Sequence, residues 1–283
     1  MLICATAEDI RKYGDSVYEL ALNPAKSCYP TYCDGIKTKT DFLNAAENAR
    51  AGKTSELLLF ALDGRVEGWI SYFWIPEDKY LQIDGCNLKS GAERALAELL
   101  DALESKFAGY TAYFGYPGEN HEAIRFLQQN GFECAERTWN HSFIFGEYRR
   151  RETSPNVEKI SRTNFDRFRA AYHAPPDAYW NCERIYESID EWTIFVYNQG
   201  SAPVAAVFST GSAGYFEIYG VEFTSETRQS HIISELLIAL LNEYAQMGAK
   251  YLTYLCDEAE KDVLRELGFR CVGQYVLYTK VFS

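Results

Sequence analysis

The sequence predicts an α+β fold repeated in tandem, each copy a mixed, mainly antiparallel sheet flanked by helices. Three observations predict it. The 283 residues, 47% of them hydrophobic, suffice for two substantial cores. The stretch Gly131-Phe132-Glu133-Cys134 returns, a domain's length further on, as Gly268-Phe269-Arg270-Cys271. Upstream of each copy, strand and helix patterns recur in the same order.

Each half begins with a short strand pattern, Leu2 to Ala5 and Val157 to Ile160. These run into Thr6-x-x-Asp9 and Thr163-x-x-Asp166, capping-box signals with Asp in place of Glu. Alternating hairpins follow. The first is Leu57 to Leu62, Asp63-Gly64, then Val66 to Trp74; the second is Trp192 to Tyr197, Asn198-Gln199-Gly200, then Val204 to Ser209. Third strands, Tyr80 to Asp84 and Tyr215 to Phe223, lead into amphipathic helices carrying Leu96, Leu99, Leu100 and Leu103, and Leu236, Leu237, Leu240 and Leu241. Tyr110 to Tyr116 and Tyr251 to Cys256 read as returning strands. Each is followed by a short helix that stops at the Gly-Phe pair, where glycine suits the left-handed residue after a helix. The boundary falls near Arg151 to Asn156, giving domains at 1–150 and 157–283. The first half is longer between Thr6 and Glu56 than the second between Thr163 and Glu191, and its insertion contains Tyr29, Pro30 and Tyr32.

A formal net charge of −12 repels phosphate backbones, and no basic stripe exists beyond Arg149-Arg150-Arg151, so nucleic acid is excluded as a partner. The longest apolar stretch, Ile232 to Leu241, is short and broken by Glu235, so no membrane span is expected. The first residues lack the basic and apolar regions of a signal peptide, so a cytoplasmic protein is the expectation. Eight cysteines form no C-x-x-C pair, and His121, His141, His173 and His231 are scattered. Reduced thiols and no metal are the expectation.

The order strand, helices, antiparallel hairpin, strand, helix, strand, helix ending in Gly-Phe, final strand resembles the GNAT (N-acetyltransferase) superfamily, and the resemblance runs through both halves. It implies a splayed gap between neighbouring strands in each half, and acetyl-CoA or another acyl-CoA as co-substrate. In the family a Val-x-Pro element precedes Arg/Gln-x-x-Gly-x-Gly/Ala, whose amides hold the coenzyme A pyrophosphate at a helix start, as helix N-termini do for anions. Laid on this pattern, the second half offers Val221, Phe223, Arg228, Gln229, Ser230, His231, Ile232, Ile233 and Ser234 as cofactor-binding residues, the motif also spanning Glu226 and Thr227. Arg228 keeps the first motif position, while His231 and Ile233 take the glycine places. Arg228 either positions phosphate or is an ordinary helix-start residue; His231 donates to a phosphate or faces solvent. The first half keeps Gly91 but has Leu88 at the Arg/Gln place and Glu93 at the second glycine, so it is the more degenerate half.

The family's Asn-x-x-Ala segment survives as Asn120-His121-Glu122-Ala123, but the place of the tyrosine that protonates the departing thiolate is Leu127 in one half and Leu264 in the other. Direct attack by an amine needs a general base. Glu217 and Glu222 are the candidates, on the strand that borders the reacting thioester in the resembling family, and two-residue alternation puts them on opposite faces, so one alone faces the cleft. Tyr254 supplies the missing acid if its phenol points into the gap between strands, and is otherwise a core aromatic. Tyr172, Tyr179 and Trp180, with Pro175-Pro176 between, form either an acceptor-site wall or loop packing.

The leading function is therefore N-acyl transfer from acyl-CoA to a primary amine of a small molecule or peptide, the acidic balance favouring a cationic acceptor. The alternatives are a non-catalytic acyl-CoA-binding or protein-interaction module, and transfer of a larger acyl or aminoacyl group, against whose tRNA form the acidity argues. The sequence leaves the oligomeric state open.

Overall fold

The computed structural model describes residues 1–29, 32–174, 178–225 and 228–283. Pro30 in the insertion, Pro175-Pro176, and Glu226 and Thr227 in the motif lie outside the described residues. In chain order the elements are β1 (Leu2–Cys4), α1 (Ala7–Ala21), α2 (Lys39–Ala51), β2 (Ser55–Leu62), β3 (Arg65–Ile75), β4 (Tyr80–Leu88), α3 (Ala92–Lys106), β5 (Thr111–Pro117), α4 (His121–Gln129) and β6 (Glu133–Ile144). There follow β7 (Val157–Lys159), α5 (Asp166–Ala171), α6 (Cys182–Glu187), β8 (Trp192–Gln199), β9 (Ala202–Ser212), β10 (Tyr215–Phe223), α7 (Ser230–Gln246), β11 (Tyr251–Cys256), α8 (Lys261–Leu267) and β12 (Arg270–Val281).

The chain forms two compact units, Met1–Thr138 with Val272–Ser283, and Trp139–Cys271. In the first the strand order is β1-β2-β3-β4-β5-β12; in the second it is β7-β8-β9-β10-β11-β6. The two orders are the same, position for position. Only β4–β5 and β10–β11 pair in parallel, and the other neighbours within each unit are antiparallel. The last strand of each sequence repeat thus completes the sheet of the other unit: β12 pairs with β5 from Tyr275↔Pro117 to Val281↔Thr111, and β6 pairs with β11.

Local signals account for most elements. Asp63 and Gly64 both take positive φ, 50° and 77°, as a two-residue hairpin turn between right-twisted strands requires. Thr6 and Asp9 form the reciprocal cap of α1, with Thr6 N–H donating to Asp9 at 2.9 Å and Asp9 N–H to Thr6 Oγ1 at 3.2 Å. The matching expectation for Thr163-Asp166 is corrected. There the box is Ser161 with Asn164, because Ser161 holds the extended backbone of an N-cap (φ −138°, ψ 179°) and its N–H donates to Asn164 Oδ1 at 2.6 Å. Gly131 and Gly268 follow α4 and α8 in left-handed conformation, and the next residue's N–H closes each helix end on the carbonyl of Leu127 and Leu264. Phe132 and Phe269 are then driven into separate cores. The leucine faces of α3 and α7 cover their sheets, with Leu99, Leu236, Leu237, Leu240 and Leu241 fully buried.

Candidate functional site

Each unit holds the expected gap. β4 and β5 pair from Tyr80↔Thr111 to Ile83↔Phe114, and then β4 runs on alone to Leu88. β10 and β11 pair from Tyr215↔Tyr251 to Ile218↔Tyr254, and β10 runs on to Phe223. In both units the divergence coincides with an extra residue against the preceding strand, Asp84 in one and Tyr219 in the other. Such a bulge bends its strand and ends pairing, which is how parallel neighbours come apart.

In the first unit the gap is closed by the chain itself. Leu88 N–H donates to Lys26 O at 3.1 Å, and Tyr29 N–H donates to Gly115 O at 3.2 Å, so residues 26–29 bridge β4 and β5 beyond their last pair. Asn120, which caps α4 through Ala123 N–H, also donates from Nδ2 to Ser27 O at 2.9 Å. Ser27 and Cys28 are buried, and burial pushes the Cys28 thiol well up. At the start of α3, Ala92 N–H donates to Glu122 Oε1 at 3.1 Å. A carboxylate of the chain thus occupies the position where a helix start attracts anions.

No comparable bridge joins β10 to β11 beyond Tyr254 among the described residues. The bulge at Tyr219 also changes the reading of the two glutamates. Glu217 pairs with Thr210 and Glu222 with Ala206, four residues apart on β9, so both lie on one face. The expectation of opposite faces is corrected, because the extra residue shifts the alternation by one. Ile218, Val221 and Phe223 face α7 instead, and so does Tyr254.

Glu222 is half-buried, and burial raises its pKa despite the opposing pull of Arg228, with Asp257 adding to the rise. Around the same face stand aromatic rings. Trp192 meets Tyr219 at 5.2 Å and Trp180 at 5.1 Å, Tyr179 meets Trp180 at 4.9 Å, and Tyr172 OH donates to Trp180 O at 2.7 Å. Burial first, and Glu217 second, push the Tyr219 phenol to about 12; burial and Glu222 do the same for Tyr172.

Arg228 is committed within the unit. Its Nη1 donates to Glu260 Oε1 at 2.7 Å and lies 3.3 Å from Asp257 Oδ2. Glu260 is 1% exposed, and its second oxygen accepts from Tyr254 OH at 3.0 Å and Asp257 N–H at 3.1 Å. The Tyr254 proton is therefore directed at Glu260, and burial together with that carboxylate raises its pKa well above the ordinary value. Gln229 is the N-cap of α7 and offers no side-chain cap; its carbonyl accepts from Ile232 and Ile233 N–H. Ser230 and His231 are exposed and Ser234 is half-buried, whereas Val221, Ile232 and Ile233 put their side chains in the core, which leaves only their main chain for a ligand. Leu127 and Leu264, at the tyrosine place, are fully buried core residues. Sequence reasoning missed Glu260, Asp257 and Glu122. The acidic run Asp257-Glu258-Ala259-Glu260 was the visible signal for the first two, and Glu122 stood inside the surviving Asn-x-x-Ala segment.

Among the described residues no group of His, Cys, Asp or Glu is arranged to hold a metal, and no helix is long and apolar enough to cross a membrane.

The sequence matches no family model and no curated protein sequence. In structure the chain is similar to a GCN5-related N-acetyltransferase from Sphaerobacter thermophilus, with TM-score 0.64 and 16% identity over 99% of this chain and 95% of that one. It is similar to a tandem GNAT protein from the clavulanic acid biosynthesis pathway, with TM-score 0.56 and 11% identity over 100% of this chain and 98% of that one. A glucosamine N-acetyltransferase region of a fungal multi-domain beta-N-acetylglucosaminidase aligns with TM-score 0.60 and 8% identity over 99% of this chain and 38% of that one. The architecture is the GNAT fold. This chain carries two such folds in tandem.

Proposed function

We propose that the second unit, Trp139–Cys271, which holds most of the half 157–283, is an N-acyltransferase that moves an acetyl or other acyl group from acyl-CoA to a primary amine, and that the first unit, which holds most of the half 1–150, is a degenerate companion that binds no acyl-CoA. The observation that carries this reading is Glu222: a half-buried carboxylate with a raised pKa, beside a strand gap that no backbone bond among the described residues bridges. Acyl-CoA supplies the activated thioester. The uncapped start of α7, with Gln229, Ser230 and His231 exposed, fits an anionic phosphate, and Arg228 lies next to it. Glu222 accepts the proton of the attacking amine, for which a carboxyl raised towards neutrality is suited. Glu217 and the Trp180, Trp192 and Tyr219 rings, on the face of Glu222, suit a cationic acceptor with an apolar portion. All eight cysteines are unpaired, as a reducing compartment keeps them, and we assign the chain to the cytoplasm. The test is coenzyme A release from acetyl-CoA across a panel of primary amines. Amine-dependent release reduced about a hundredfold or more in Glu222→Gln supports the reading; release equal with and without every amine rejects it.

One observation favours the second reading, a module that binds without turnover: Arg228 is already held by Glu260 and Asp257. Coenzyme A binding with no amine-dependent release identifies that case.

A further inference from the structure

The basic run of the sequence lines a groove in the second unit. A cavity of about 470 Å³ is bordered by Arg149, Arg150 and Arg151, by Glu147 and Tyr148, and by an apolar side made of Phe143, Ile144 and Leu267. The volume lies in the range of small-molecule sites. Ile144 is 46% exposed at this apolar side.

The segment is fixed from beneath. Asn242 of α7, 4% exposed, donates to Arg151 O at 2.8 Å and Thr153 Oγ1 at 3.0 Å, and its Oδ1 accepts from Arg151 N–H and Tyr148 OH, both at 3.0 Å. The Tyr148 ring stands edge-on to Phe143 at 5.5 Å. One buried amide therefore orders the backbone that carries the arginines.

The arginines themselves are unused. Among the described residues no ion pair or hydrogen bond engages any of the three guanidinium groups. Elsewhere in the same unit Arg167, Arg169, Arg228 and Arg265 each have a carboxylate. A chain of net charge −12 has carboxylates to spare, yet it places one, Glu147, in this groove against three cations. Like charges held on consecutive residues repel one another, and a multivalent anion relieves that repulsion while filling the guanidinium forks.

We propose that this groove binds a compact polyanion with an apolar body, of the class of a nucleoside diphosphate, its phosphates on Arg149, Arg150 and Arg151 and its base against Ile144. Calorimetric titration of the full chain with ADP and with tripolyphosphate, at about 0.15 M salt so that loose surface attraction is screened, tests it. With coenzyme A saturating, so that its own ADP moiety fills the acyl-CoA site, ADP should saturate one further site, with tripolyphosphate competing. The triple variant Arg149→Gln, Arg150→Gln, Arg151→Gln should weaken both ligands at least tenfold, while Arg228→Gln leaves them unchanged and so separates this groove from the acyl-CoA site. Ile144→Ser should weaken ADP and spare tripolyphosphate. Equal binding by the triple variant and the parent, loss in Arg228→Gln instead, or no saturable site at this salt would overturn the proposal, and ADP binding untouched by Ile144→Ser would remove the apolar contact.

Discussion

The two units build the same sheet and treat its gap in opposite ways. In the first, residues 26–29 bridge β4 and β5 and Glu122 takes the start of α3. In the second, β10 and β11 part at Ile218 and Tyr254, Gln229 gives the start of α7 no side-chain cap, and Asp257 and Glu260 hold Arg228. The bulge that opens each gap carries different chemistry as well. Asp84 accepts from Ser71 Oγ at 2.5 Å inside the first unit, whereas Tyr219 joins the aromatic face beside Glu217 and Glu222 in the second. A fold copied within one chain can thus keep its strand order in both places while the backbone bonds across its gap differ.

The largest expected effect that sharpens this contrast is on turnover. Glu222→Gln should lower the amine-dependent rate about a hundredfold or more, while Asp84→Asn, the change at the other unit's bulge, should leave it within about twofold. Because Glu222 acts as a base with a raised pKa, the parent rate should rise as pH climbs through a value above the ordinary 4.5 and fall away below it. The glutamine variant should lack that limb. The same carboxyl costs stability at neutral pH, where the fold disfavours its charge, so Glu222→Gln should unfold at equal or higher denaturant concentration than the parent.

The next effect is on the bridge. Asn120→Ala removes both the bond to Ser27 O and the cap on Ala123 N–H, and should cost about 1–3 kcal/mol by denaturant titration. If it also creates a second coenzyme A site, the bridge alone keeps the first unit closed. The smallest expected effect is on affinity. Arg228→Gln leaves Glu260 without its cation, and its coenzyme A affinity should fall about three- to tenfold, a single charge-assisted contact being worth about 1 kcal/mol at a partly exposed site.

Much of the fold was legible because its signals are local. The Gly-Phe pairs, the Asp63-Gly64 turn and the leucine faces of α3 and α7 each specify their element within a few residues. What was illegible is set at long range. β6 and β12 follow near-identical Gly-Phe-x-Cys starts, so nothing local tells each strand which sheet to complete. The bulge at Tyr219 leaves no mark on the alternation, and it reversed the placement of Glu217 relative to Glu222. Residues 26–29 have no periodicity to declare that they bridge two strands. Arg228 was found from its motif position, but its partner Glu260 sits beyond a helix and a strand in a turn. The site was therefore readable as residue types and unreadable as pairings.

Amide hydrogen exchange of the intact chain with and without saturating coenzyme A tests the central contrast most directly. The account predicts slowed exchange across residues 219–236, at the open gap and the first turns of α7, with residues 84–96 unchanged. Protection of residues 84–96, or none in either unit, would contradict it.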